Sequence, residues 1–158
     1  MNSPTHSRST LARTGAWGVV FGVLIAVWLA AVSAQEGKAQ EGKRTIWDGV
    51  FTDAQATRGQ QNYKQSCMAC HKEDLLGDGS APALAGAAFS ARWVGSSVDD
   101  MVQIIRSSMP QDAPDSLGVP VYVDIVSYLL KSNGGPAGAS ELPTDSAALK
   151  QIQVTNPR

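Results

Sequence analysis

Cys67-Met68-Ala69-Cys70-His71 reads C-x-x-C-H, the sequence to which a c-type haem is attached. Two thiols at this spacing can add to the two vinyl groups of one porphyrin, and the imidazole that follows is placed to ligate the iron. A cofactor fastened covalently can be held by a small domain. Other uses of the same letters need partners. A structural zinc wants four Cys or His ligands, and the sequence offers only Cys67, Cys70, His71 and His6, the last in an N-terminal leader. A thioredoxin-like dithiol wants a strand–helix–strand setting, and none is visible. A short-loop disulfide is the remaining rival.

Toward the N-terminus, Arg8 and Arg13 precede an uncharged, mostly apolar run from Gly15 to Val32, and Val32-Ser33-Ala34 supplies small side chains where a peptidase cuts. This is the layout of a secretory signal, with cleavage expected after Ala34. The apolar run also reaches the length of a membrane-spanning helix, so an uncleaved N-terminal anchor is the alternative. Both outcomes export everything after the two arginines. The expected location is the periplasm, or the inner membrane with the domain facing the periplasm, where haem of this type is attached.

The expected organisation is a signal peptide or anchor over 1–34, a flexible tether over 35–45, one domain over 46–135 and a C-terminal extension over 136–158. The tether is rich in Gln, Glu, Gly and Lys. The extension, with Pro136, Gly138, Pro143 and Pro157, reads as extended or loosely ordered, with a helical turn or two around Asp145 to Ile152, and is expected either to lie on the core or to dock on a partner. With 13 basic against 14 acidic residues, two of the basic ones in the leader, nothing points to nucleic acid or an anionic membrane as partner.

Within the domain the patterns are helical. Thr52 and Gln55 form a capping-box pair that opens a helix running to the haem motif. Residues 75–86 are rich in Gly, Pro, Asp and Ser and read as a loop, with a short helix following near Ala87 to Trp93. Val98, Met101, Val102, Ile104 and Ile105 recur at three-and-four spacing behind Ser97 as N-cap, with Asp99 and Asp100 in the first turn. That helix ends near Ser107 or Ser108, because Pro110 pushes Met109 out of helical geometry. Pro120 starts a last helix, which Asn133 and Gly134 end. No strand pattern competes, and the fold class expected is all-α.

The iron's second axial ligand decides between electron transfer and ligand chemistry, and Met or His is usual there. No second histidine lies outside the leader. Met68 is confined within the attachment loop, and Met101 falls on an apolar helix stripe, where methionine fills core. Met109 sits just past the helix and before a proline, free to reach a site that a stripe residue cannot. The expected metal ligands are therefore His71 and Met109, with Cys67 and Cys70 as thioether anchors. Trp93 has two readings, as ordinary core or as an indole donor to a haem propionate. Arg92 and Arg106 are read as solvated surface before propionate partners.

Gly59 and Tyr63 ahead of the C-x-x-C-H motif, then Pro82 and Leu84, Met109-Pro110, Ile125 and Tyr128 resemble the class I c-type cytochromes over about residues 46–135. The resemblance implies three to four helices wrapped around one covalent haem c and its iron. It implies first and last helices crossing at Gly59, with Tyr63 against Tyr128, and a Pro82 carbonyl that accepts a hydrogen bond from His71. More narrowly, residues 46–60, 106–117 and 132–152 are similar to cytochrome domains that accompany quinoprotein (pyrroloquinoline quinone) dehydrogenases. The implied function is a non-enzymatic, single-haem carrier moving one electron at a time. Its donor is expected to be a periplasmic dehydrogenase, and its acceptor a terminal oxidase or another cytochrome. The alternatives are an electron-transfer subunit of a quinoprotein dehydrogenase complex and, further off, a haem sensor or peroxidase.

Overall fold

The computed structural model describes residues 43–157; the leader and most of the tether lie outside them. Six helical segments occur among the described residues: α1 (Asp53–Ser66), α2 (Met68–His71), α3 (Ala87–Trp93), α4 (Val98–Ser108), α5 (Val119–Ser132) and α6 (Ser146–Lys150). The strands β1 (Arg44–Thr45) and β2 (Ile152–Gln153) pair in parallel, with Arg44 opposite Ile152. The fold is all-α, and two short helices, α2 and α6, join the four longer ones. No described helix is long and apolar enough to cross a membrane.

The frame is the crossing of α1 and α5. Gly59 makes it possible, since a β-carbon there would lie 1.8 Å from the Asp124 carbonyl oxygen and 3.0 Å from the Tyr128 Cβ. One turn along, the Tyr63 and Tyr128 rings meet with centroids 5.3 Å apart, tilted by 50°. At the solvent edge, Arg58 grips the Asp124 carboxylate through Nε and Nη2, both at 3.1 Å. Lys131 of α5 reaches Asp53 of α1 at 2.6 Å. Tyr122, Val123, Ile125, Val126, Leu129 and Leu130 bury the inner face of α5.

The helix ends follow local rules, with one exception. Ser97 and Asp100 form a full capping box: the Ser97 hydroxyl accepts from the Asp100 N–H at 3.1 Å, and the Asp100 carboxylate accepts from the Ser97 N–H at 2.9 Å. Val98, Met101 and Val102 are buried in the core and Ile105 half-buried, while Ile104 faces out at 38% exposure. A stripe read at 98, 101, 102 and 105 has no place for 104 on a 3.6-residue helix. At α1 only half the expected capping box exists. Thr52 Oγ1 accepts from the Gln55 N–H at 3.1 Å, but the Gln55 side chain turns to the C-terminal segment.

That segment takes the first of its two expected placements, lying on the core with a short helix at Ser146–Lys150, but it is closely packed and not loosely ordered. Gln55 is buried and pairs with the Leu142 backbone in both directions, donating to its carbonyl at 3.0 Å and accepting from its N–H at 2.7 Å. Arg58 holds Glu141 at 2.9 Å through its remaining arm. Leu142, Leu149, Ile152 and Val154 are core residues, and Gly138 lies so close to Gly49 that a β-carbon would meet its carbonyl at 2.0 Å. Trp47 donates its indole N–H to the Thr155 carbonyl at 2.9 Å. The chain after Gly135 is packed into the fold, and Arg44 and Thr45, read as the end of the tether, form the strand that receives it.

Candidate functional site

The chain passes from α1 into the C-x-x-C-H motif through a turn at Cys67, which ends one helix and starts the next. The Cys67 N–H bonds the Tyr63 carbonyl at 2.9 Å, and the Cys70 and His71 N–H groups return to the Cys67 carbonyl at 3.2 and 3.0 Å. One helical turn thus carries both thiols and the imidazole, and i, i+3 and i+4 positions share a face. The turn stops at Lys72, whose φ is +64°. Its carbonyl accepts from the Tyr63 hydroxyl at 2.6 Å, so the aromatic of the helix crossing also secures the end of the motif. Burial raises the Tyr63 pKa above its usual range, and the nearby Cys67 adds to the shift.

Both cysteines are free of a disulfide, Cys67 half-buried and Cys70 exposed. The short-loop disulfide is not formed. Burial, and then the neighbouring Cys70, pushes the Cys67 thiol up to about 11, so at neutral pH it stays protonated. Among the described residues no three His, Cys, Asp or Glu side chains converge as a metal-holding group.

His71 is buried, and its Nδ1 lies 2.9 Å from the Pro82 carbonyl oxygen. A carbonyl can only accept, so Nδ1 carries a proton, and in the neutral ring the lone pair is then on Nε2. Nothing among the described residues hydrogen-bonds Nε2. This is the tautomer a metal-ligating histidine needs, held by the partner that orients such rings.

The loop that offers Pro82 is tied from several directions. The Leu84 N–H bonds the Leu75 carbonyl at 2.7 Å, and the Gly77 N–H bonds the His71 carbonyl at 3.2 Å. Gly77 has φ +70°, and a β-carbon there would sit 2.1 Å from the Ala81 carbonyl oxygen. Asn133, at the end of α5, donates to the Leu84 carbonyl at 3.0 Å and accepts from the Gly86 N–H at 2.9 Å. Sequence reasoning saw Asn133 only as a helix terminator. Its side-chain amide was the signal, since a C-cap asparagine has donors and an acceptor to spare.

Met109 occupies the C-cap of α4, with extended backbone (φ −131°, ψ 150°) and a half-buried side chain. Its N–H closes the helix on the Ile105 carbonyl at 2.8 Å, and its carbonyl accepts from the Tyr122 hydroxyl at 2.7 Å. Met101, by contrast, is fully buried in the core. Trp93 ends α3, 6% exposed, with the Arg92 guanidinium 4.8 Å from its ring centroid. Its indole N–H has no hydrogen-bond partner among the described residues, unlike that of Trp47. Arg106 is engaged by the Asp115 carboxylate, through Nε and, at 2.9 Å, through Nη2.

The motif fits haem c: two unbonded thiols and an imidazole on one turn, the imidazole with Nδ1 occupied and Nε2 open. Bound there, haem c supplies one-electron Fe(III)/Fe(II) chemistry.

The family model described as cytochrome c oxidase, cbb3-type, subunit III matches residues 54–129, a stretch that runs from α1 to α5 and includes the motif, Pro82 and Met109. No curated protein and no solved structure matches the chain.

Proposed function

From the premise that residues 54–129 form a c-type cytochrome domain with covalently attached haem c and iron, we propose that this protein is a single-haem carrier passing one electron at a time between periplasmic partners. Haem electron transfer in general follows from the domain type; the ligands, compartment and partners are our reading. Cys67 and Cys70 are the thioether anchors, His71 Nε2 and the Met109 thioether the axial ligands, Pro82 the carbonyl that orients His71, and Trp93 a donor to a propionate.

The observation that carries this reading is the His71–Pro82 hydrogen bond of 2.9 Å. It leaves Nε2 as the free ring nitrogen, raises its basicity and prevents the ring from turning. Two protein ligands close the iron to exogenous molecules, and a neutral thioether raises the reduction potential relative to two nitrogens. Such a site favours electron transfer over catalysis at the metal. The donor proposed is a periplasmic dehydrogenase, possessing a quinone cofactor if the likeness of residues 46–60, 106–117 and 132–152 extends to the partner. The acceptor is a terminal oxidase or another cytochrome.

Two measurements test it. Acid–acetone extraction of the reduced protein should leave the c-haem spectrum with the polypeptide; a colourless polypeptide would refute attachment. Met109→Ala should abolish the sulfur-to-iron absorption band and lower the potential, and persistence of both would refute the axial assignment.

A further inference from the structure

Met109 stands where the regular hydrogen bonding of α4 runs out. Its N–H is still inside the helix, bonded to Ile105 at 2.8 Å, but its ψ of 150° turns the carbonyl away from the helix axis. Pro110 follows and offers no N–H. The carbonyl is satisfied from α5 by the Tyr122 hydroxyl at 2.7 Å. Tyr122 sits in the first turn of α5, and at 1% exposure its ring has no room to swing.

The rest of the segment is tied only to itself and to α4. The Asp115 N–H bonds the Arg106 carbonyl at 2.9 Å, and the Ala113 and Ser116 N–H groups bond Pro110 and Ala113 at 3.0 and 3.3 Å. Arg106 and Asp115 pair across the base. Residues 111–116 are exposed. Among the described residues, the Tyr122 hydroxyl makes the sole hydrogen bond reaching residues 109–117 from an element other than α4. The Met109 side chain has three flexible torsions, so the placement of its sulfur depends on where the backbone starts.

We infer that Tyr122 is a positioning residue for Met109: by holding the Met109 carbonyl it sets the backbone from which the thioether reaches the iron. The inference rests on Met109 being the axial ligand. Removing the hydroxyl frees the backbone and makes the open sixth position more frequent, without touching the iron, the thioethers or His71.

The test uses oxidised holoprotein and cyanide, which binds only when the methionine has left. Tyr122→Phe keeps the ring and removes one neutral hydrogen bond. Cyanide should bind about fivefold faster, the factor equivalent to about 1 kcal/mol, and the sulfur-to-iron band should weaken on warming before the protein unfolds. Ser127→Ala is the control. It deletes another buried hydroxyl of α5, one bonded within the helix to Val123 at 3.0 Å, and should leave the cyanide rate at the wild-type value. Equal rates in Tyr122→Phe and Ser127→Ala, with the band lost in Met109→Ala, would overturn the inference while sparing the ligand. A Met109→Ala protein that retains the band and the wild-type cyanide rate would overturn the ligand assignment itself.

Discussion

Between His71 and Gly86 the chain is held from remote parts of the fold, whereas between Met109 and Gly118 it is held almost wholly by the helix it leaves. The first loop is gripped by Tyr63 of α1 at Lys72 and by Asn133 of α5 at Leu84 and Gly86. Lys72 and Asp78 add an ion pair at 2.8 Å. The second has Tyr122 and the local Arg106–Asp115 pair. Ties from distant elements yield only when those elements move, while local ties fray with the helix end. The histidine side of the site is therefore built as part of the frame, and the methionine side as an attachment to it. On the ligation we propose, ligand exchange belongs to the methionine side.

The strongest way to break the distinction is to damage the frame that both sides share. Gly59→Val places side-chain atoms where the Asp124 carbonyl already sits 1.8 Å from the nearest one. It should cost about 3 kcal/mol or more, with both sides failing together in denaturant unfolding. Next is Asn133→Ala, which strips partners from the Leu84 carbonyl and the Gly86 N–H. A loss of about 2 kcal/mol is expected, with a shift in reduction potential as the Pro82 carbonyl loses its hold on His71, and no change in cyanide binding. Tyr122→Phe should do the reverse, altering cyanide binding while leaving the potential near wild type. If both variants moved both readouts, the two sides would be one mechanical unit.

Smaller effects sharpen the contrast. Ser97→Ala removes the N-cap of α4 and should lower stability by about 1 kcal/mol with no effect on either ligand. Asp100 in the same box is held below the ordinary carboxylate range, first by the Ser97 N–H and then by its hydroxyl. Its pKa is depressed in the folded state, so its contribution is present above the unfolded value near 4 and lost as pH falls through the folded one. An acid titration of stability should thus show a smaller loss below pH 4 in Asp100→Asn than in wild type. The Arg58–Glu141 pair is exposed, and Glu141→Gln should leave the urea unfolding midpoint close to the wild-type value.

The parts legible in the sequence were those governed by neighbours. Ser97 with Asp100, Pro120 at the start of α5, Pro110 after α4 and the motif itself each act within four residues. They placed the long helices and offered His71 and Met109 as site residues, while Pro82 came only from the resemblance to class I c-type cytochromes. Gln55 misled because its position fits a capping box, yet its side chain is claimed by Leu142, far along the chain. Leu142, Leu149, Ile152 and Val154 follow no helical or strand period over a useful length, so a segment full of Gly and Pro concealed core residues. Tyr122 carried no local signal, and Asn133 read only as the end of a helix. Their roles depend on which carbonyl the folded chain brings to them, and no local pattern encodes that.

The parallel pairing of β1 with β2 has a mechanical consequence. A pull applied at Lys43 and Pro157 draws two parallel strands in opposite directions along their length. The bonds from Arg44 N–H to Gln151 and from Ile46 N–H to Gln153, each 3.0 Å, would then be loaded in shear and together. The Trp47–Thr155 bond would share that load. A tension on either end of this domain meets a latch before it meets the helices that carry the site.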